Sequence, residues 1–169
     1  GEQIFLTTAV NGAQNLVRGR GPGAAEVEQP EQQLLVMALD RKTGKKLWEN
    51  VALTVKPHEG YHPKYGSFAS NSPVTDGKVL IAFFGSRGVY AYDLKGKKLW
   101  EKDLGIRMKM RNAFGEGTAP VLHDNTLLLN FDHEAEGFLV ALDKSNGKEL
   151  WRQTRNEVSN WAPPLVVQH

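Results

Sequence analysis

The chain has 169 residues, 40% hydrophobic and 24% charged, enough to bury one sizeable core. Its 21 Lys and Arg against 19 Asp and Glu leave a formal charge of only +2, so no strong field draws it to nucleic acid or anionic lipid. Without cysteine it has no disulfide frame, thiolate metal site or cysteine nucleophile, and no apolar run approaches the roughly 20 residues that span a bilayer.

Gly1, Glu2 and Gln3 lead directly into Ile4, Phe5 and Leu6 without a basic or signal-type apolar segment, so a signal is absent from this chain and would have been removed from an exported protein. Residues 3–9 (QIFLTTA) read as a strand. A Gly- and Glu-rich insert at 11–33 follows where a short turn would suffice; it is expected to be flexible and a place for partner contact. Residues 38–48 then read ALDRKTGKKLW, containing Ala38, Asp40, Gly44 and Trp48. In the next stretch, KPHEGYHPKYG, His58 and His62 stand four apart, but Pro57, Gly60 and Pro63 interrupt any helix, which favours a connecting loop over a metal pair.

Ser72-Pro73-Val74 opens a second unit, with strand-like runs at 78–84 and 88–92 and a second copy of the phrase through Ala91, Asp93, Gly96 and Trp100, one residue shorter than the first. A basic run, Arg107-Met108-Lys109-Met110-Arg111-Asn112, reads as solvated loop or as a strand presenting three cations on one face. Ala119-Pro120-Val121 opens the third unit, with runs at 126–131 and 137–142 and a third copy through Ala141, Asp143, Gly147 and Trp151. Between those runs, Asp132-His133-Glu134-Ala135-Glu136 matches no calcium loop and reads as a solvated hairpin. Residues 160–167 (NWAPPLVV) begin the opening phrase once more.

Trp48, Trp100 and Trp151 lie 52 and 51 residues apart, so the chain repeats at about fifty residues, with four short strands to a unit and no sustained helical period. Asp-Gly at 76–77, Asp-Asn at 124–125 and the Thr/Asn-Gly steps suit tight hairpins. This predicts an all-β fold: a β-propeller segment of about three four-stranded antiparallel blades, part of a larger ring. A flat open sheet would expose long edges. The expected units are approximately 1–50 (first strand missing), 68–102 and 114–153, with 158–169 as the first strand of a further blade. In each phrase the alanine allows close sheet approach, the aspartate caps the turn, the glycine takes a positive φ and the tryptophan docks on the next blade. The complementary ends suggest a homodimer that completes a ring.

The phrase Ala-x-Asp-x-x-Thr-Gly-Lys-x-x-Trp resembles the tryptophan-docking repeat of the pyrroloquinoline-quinone (PQQ)-like β-propellers, whose members include quinoprotein alcohol dehydrogenases and the propeller lipoprotein of the outer-membrane β-barrel assembly machinery. WD40 and kelch signatures are missing from the sequence. In the dehydrogenase branch the quinone lies between a tryptophan and a disulfide of adjacent cysteines, with a calcium beside it, and this chain cannot build that clamp. The resemblance therefore implies a non-catalytic, protein-binding or scaffolding segment in the periplasm or cell envelope, without a cofactor, whose partners are another protein or the remaining blades. The alternative is a piece of a PQQ- and calcium-dependent alcohol or sugar dehydrogenase whose clamp lies outside this chain. Arg111, Asn112, Asn160 and Trp161 form the candidate binding surface on the axial face.

Overall fold

The computed structural model describes residues 1–11, 29–62 and 64–167. Residues 12–28 of the expected flexible insert lie outside them, as does Pro63. Eleven strands form three antiparallel sheets among the described residues. The first sheet has β1 (Gln3–Asn11), β2 (Gln32–Asp40) and β3 (Lys46–Val55) in that order. The second has β4 (Val74–Thr75), β5 (Val79–Phe83), β6 (Val89–Asp93) and β7 (Lys98–Lys102), and the third has β8 (Val121–His123), β9 (Thr126–Asn130), β10 (Gly137–Asp143) and β11 (Glu149–Arg155). Strands follow chain order across each sheet, and the short β4 and β8, the edge strands that open the second and third sheets, touch each other. The fold is thus an all-β propeller segment.

The central strands read as continuous apolar runs, VLIAF in β5 and TLLLN in β9, because each is covered on both faces. Leu80, Ala82, Tyr90 and Tyr92 of the second sheet meet Leu34, Val36, Phe5 and Trp48 of the first. On its other face Val79, Ile81, Phe83, Val89 and Ala91 meet Leu127, Leu129, Phe131, Phe138, Val140 and Leu142 of the third. Each fully buried aliphatic side chain contributes about 1.5–3 kcal/mol, so these two interfaces hold the sheets together.

The repeated phrase supplies the joints. In every copy the alanine pairs across strands with the tryptophan, Ala38 with Trp48, Ala91 with Trp100 and Ala141 with Trp151, and a bulge follows immediately. The bulge leaves Leu47, Leu99 and Leu150 half exposed, while the indoles of Trp48 and Trp100 turn towards the neighbouring sheet. Trp48 Nε1 donates to the Leu94 carbonyl at 3.1 Å, and Trp100 Nε1 to the Lys144 carbonyl at 2.9 Å. Under each indole lies the turn glycine of the next unit: a Cβ on Gly96 would stand 2.8 Å from Trp48, and one on Gly147 2.8 Å from Trp100. The turns are capped from within. Asp40 Oδ1 accepts the amides of Lys42 and Thr43, Asp93 Oδ1 those of Lys95 and Lys97, and Asp143 Oδ1 that of Ser145. Lys144 Nζ also reaches Asp76 Oδ2 at 2.8 Å across the sheets, and this ammonium holds the carboxyl well below the usual range.

Three particulars differ from the sequence reading. Residues 156–167 form no strand, because no neighbouring strand is described for them to pair with, although Asn160 occupies the expected place of the next unit's head. Asn71 Nδ2 donates to the Thr118 carbonyl at 2.8 Å, and Thr118 Oγ1 repeats that step to the Asn160 carbonyl at 3.1 Å. The first unit runs past 50, with β3 continuing to Val55. The 132–136 hairpin is not simply solvated: Asp132 and His133 are buried, and Asp132 is gripped by Arg155 Nε at 2.7 Å.

Candidate functional site

The connections 56–73, 84–88, 103–120 and 131–136 gather at one end of the sheets, opposite the capped turns. Alternation anchors the basic run there. Met108 and Met110 enter the core between the second and third sheets, while Arg107, Lys109 and Arg111 remain outside. Asn112 and Ala113 then take φ of 55° and 50°, a left-handed step that redirects the chain into Phe114-Gly115-Glu116.

Under these loops lies a knot of ionisable groups. Glu116 accepts from the Ser86 amide at 2.5 Å and the Ser86 hydroxyl at 2.6 Å. Both oxygens of Glu59 accept from the Met110 amide, at 3.3 and 3.2 Å. His58 Nε2 lies 2.7 Å from the Met108 carbonyl, and its Nδ1 lies 2.9 Å from an Arg87 guanidinium nitrogen, so both ring positions are engaged. Arg107 completes the group by donating to the Ser86 carbonyl at 2.7 Å and pairing with Asp103. Burial pushes Glu59 up to about 7, with Glu116 beside it adding to the rise, and pushes Glu116 up to about 6 against its two bonds from Ser86. Burial also holds His58 below its ordinary value. A cavity of about 40 Å³ separates these groups from Phe68 and Phe84, room for water and little else.

His58, Glu59 and Glu116 present donor atoms within 4.8 Å of one another. They do not fit a calcium ion: the imidazole is engaged at both nitrogens, the carboxylates are hydrogen-bonded, and Arg87 and Arg107 bring positive charge to the same place. His62, the other histidine of the sequence pair, lies outside this group and stacks on Tyr65 with ring centroids 4.8 Å apart. The knot pins three loops together.

Beside it opens a groove of about 470 Å³, walled by His62, Tyr65, Phe114 and Trp161, with Gly115, Gly117 and Ser70 leaving its floor low and Glu116 at its base. Phe114 meets His62 edge to face at 4.8 Å. Trp161 Nε1 donates to the Gly115 carbonyl at 2.8 Å, which fixes the indole while leaving 39% of the residue exposed. Tyr65, which also lines the groove, is 76% exposed. A concave site with fixed aromatic walls and few polar groups suits an apolar or aromatic side chain on an extended ligand.

The four residues proposed from sequence separate here. Trp161 lines the groove. Asn160 turns to the neighbouring polar cluster, where its amide lies 3.5 Å from Asp132, and Arg111 pairs with Glu134 at 3.5 Å while its amide donates to Ser159. Asn112 is exposed at the left-handed step. Tyr65, Phe114, Glu59 and Glu116 were not singled out by sequence reasoning. Their signal was weak: aromatic and Glu-Gly pairs placed in two loops of unequal length.

Antiparallel sheets joined face to face by a phrase recurring at about fifty residues define a β-propeller built from PQQ-like repeats. Residues 85–168, close to half of the chain, match the family model described as outer membrane protein assembly factor BamB, a match to the PQQ-like propeller repeats. No curated protein gives a significant sequence match. Among solved structures, a quinohemoprotein alcohol dehydrogenase from Pseudomonas putida HK5 is 16% identical over 91% of this chain and 23% of its own, with TM-score 0.51. BamB from Moraxella catarrhalis is 17% identical over 73% of this chain and 34% of its own, with TM-score 0.45. A quinohemoprotein alcohol dehydrogenase from Comamonas testosteroni is 15% identical over 90% and 23%, with TM-score 0.47. The chain spans about a third or less of the length of these structures, and likeness at such identity concerns the fold.

Proposed function

We propose that this chain is a non-catalytic, protein-binding and scaffolding part of a PQQ-like propeller in a bacterial cell envelope. It takes an extended segment of a partner protein into the groove of His62, Tyr65, Phe114 and Trp161. The groove itself carries this reading: two exposed aromatic residues, Tyr65 and Trp161, line one open, mainly apolar cleft. The envelope setting and a partner in outer-membrane protein assembly come from the description of the matching family. The remaining blades of a larger propeller would be its structural partners.

The non-catalytic reading is supported by the absence of cysteine from this chain, which therefore supplies no adjacent pair of the kind that clamps the quinone in the dehydrogenase branch. The test is fluorescence anisotropy with a labelled, extended peptide of alternating aromatic and aliphatic residues, taken from an outer-membrane β-strand. Saturable binding, weakened about tenfold by Trp161→Ala and again by Tyr65→Ala, is expected. No peptide binding, or saturable binding of PQQ with calcium in its place, would overturn the reading in favour of a dehydrogenase segment.

A further inference from the structure

Two of the loops that line the groove are each anchored by a carboxylate. Glu59 stands three residues before His62, and its oxygens hold the Met110 amide. Glu116 stands two residues after Phe114, and its oxygens hold the amide and hydroxyl of Ser86. Between these anchors the loops are joined directly, by the His62 amide donating to the Phe114 carbonyl at 2.9 Å. The shape of the groove therefore depends on both carboxylates keeping their bonds.

The two anchors are not equally secure. Glu116 has two short bonds from Ser86, with Arg87 and Arg107 close enough to favour its ionised form. Glu59 is 6% exposed, and its oxygens share a single backbone amide. The cations around it are committed elsewhere: Arg87 donates to the Lys56 carbonyl and His58, Arg107 donates to the Ser86 carbonyl and pairs with Asp103, and Lys109 is exposed. His58 is held neutral by burial, and Phe68 and Phe84 face the group across the small cavity. Donor atoms of Glu59 and Glu116 lie within 4.8 Å of one another, so a buried site with so few donors accepts one ionised carboxylate far more readily than two. Glu116 at about 6 and Glu59 at about 7 follow that order.

We propose that Glu59 and Glu116 form a proton-operated latch on the groove: with Glu59 protonated the loops at 61–66 and 113–117 stay closed on each other, and with Glu59 ionised its carboxylate leaves the Met110 amide for water and the loops part. The closed knot keeps a proton that an opened, hydrated Glu59 gives up to solvent, so closure weakens as pH rises from about 4.5 to about 7. A ligand in the groove is then held best below neutral pH. That consequence rests on the groove being the binding site, whereas the parting of the loops does not.

Hydrogen exchange of the free chain at about pH 6 and about pH 8 tests the latch without any ligand. After correction for the intrinsic exchange rate at each pH, protection of the His62 amide should fall about tenfold, the ratio set by a carboxyl at about 7 when closed and 4.5 when open. The Gly96 amide, bonded to the Asp93 carbonyl in a turn at the other end of the sheets, should keep its protection. Glu59→Gln cannot ionise at this position and keeps both His58 and His62, so its His62 amide should stay within about twofold. No fall in the wild-type chain, an equal fall at Gly96, or the same fall in the variant would overturn the proposal. Fluorescence anisotropy with the outer-membrane strand peptide, blocked at both ends and free of titratable side chains, reads the effect on a ligand. Affinity should be about tenfold lower at the higher pH in the wild-type chain and level in Glu59→Gln. Equal wild-type affinity at both pH values would overturn control of the ligand. Absence of peptide binding at either pH would count against the groove reading instead, and the exchange result alone would then decide the latch.

Discussion

Replacing Gly96 with alanine probes the joint between sheets with little ambiguity. The backbone at Gly96 has φ of 89°, and an L-residue held there costs about 1–2 kcal/mol. The new Cβ would also stand 2.8 Å from Trp48 Cδ2 and 3.0 Å from both Trp48 Cε3 and Asn50 Nδ2, against an ordinary carbon contact of about 3.5–4 Å. The indole must retreat by close to ~1 Å, which breaks the 3.1 Å bond to Leu94 and disturbs the 2.7 Å bond from Asn50 to the Gly96 carbonyl. Each such bond contributes about 1 kcal/mol, so the total loss should be about 3–4 kcal/mol. Gly44→Ala meets the same φ penalty with open space around it and should lose only about 1–2 kcal/mol. Urea unfolding followed by circular dichroism measures both. Equal losses at Gly44 and Gly96 would refute the reasoning, because the cost would then belong to the turn and not to the tryptophan above it.

The tryptophans should divide in the same way: Trp48→Phe and Trp100→Phe each lose about 1 kcal/mol with their indole bonds, while Trp151→Phe changes the stability of the monomer little, again by urea unfolding. Glu59 is raised to about 7 from 4.5, so the folded chain retains a proton that the unfolded chain releases, and stability falls as pH rises from about 4.5 to about 7. Glu59→Gln should therefore stabilise the chain at pH 8 by about 3 kcal/mol and not at pH 4; identical pH profiles for the two proteins would contradict the assignment. Arg155→Ala leaves the fully buried Asp132 carboxylate without its cation and should cost about 3 kcal/mol, whereas Arg152→Ala breaks a partly exposed pair with Glu149 and should cost below about 1 kcal/mol, both read from thermal melts.

The repeat was legible because it is local. Asp40, Asp93 and Asp143, their glycines and their tryptophans lie within nine residues of one another in each copy, so turn chemistry and spacing reveal them before any tertiary contact is known. The bulge that exposes Leu47, Leu99 and Leu150 was not legible, since register is a property of two strands. The groove was legible only at Trp161. Tyr65, which lines the same groove, comes from a loop almost a hundred residues earlier, and the two share it only once the sheets have packed. Glu59 and Glu116 were hidden for a related reason: a carboxylate in a polar loop reads as solvated, and only the loops closing over it from two other connections make it buried. Met108 and Met110 sit between these cases, for their alternation with Arg107, Lys109 and Arg111 was visible but the core that receives them was not.

Hydrogen exchange on the chain with and without the outer-membrane strand peptide tests the functional reading most directly. Protection should appear at residues 61–66 and 113–117, the two loops that wall the groove, and at Trp161, and should vanish with Trp161→Ala. Protection confined to other surfaces, such as the outer strand β11, or no protection at a saturating peptide concentration, would contradict it.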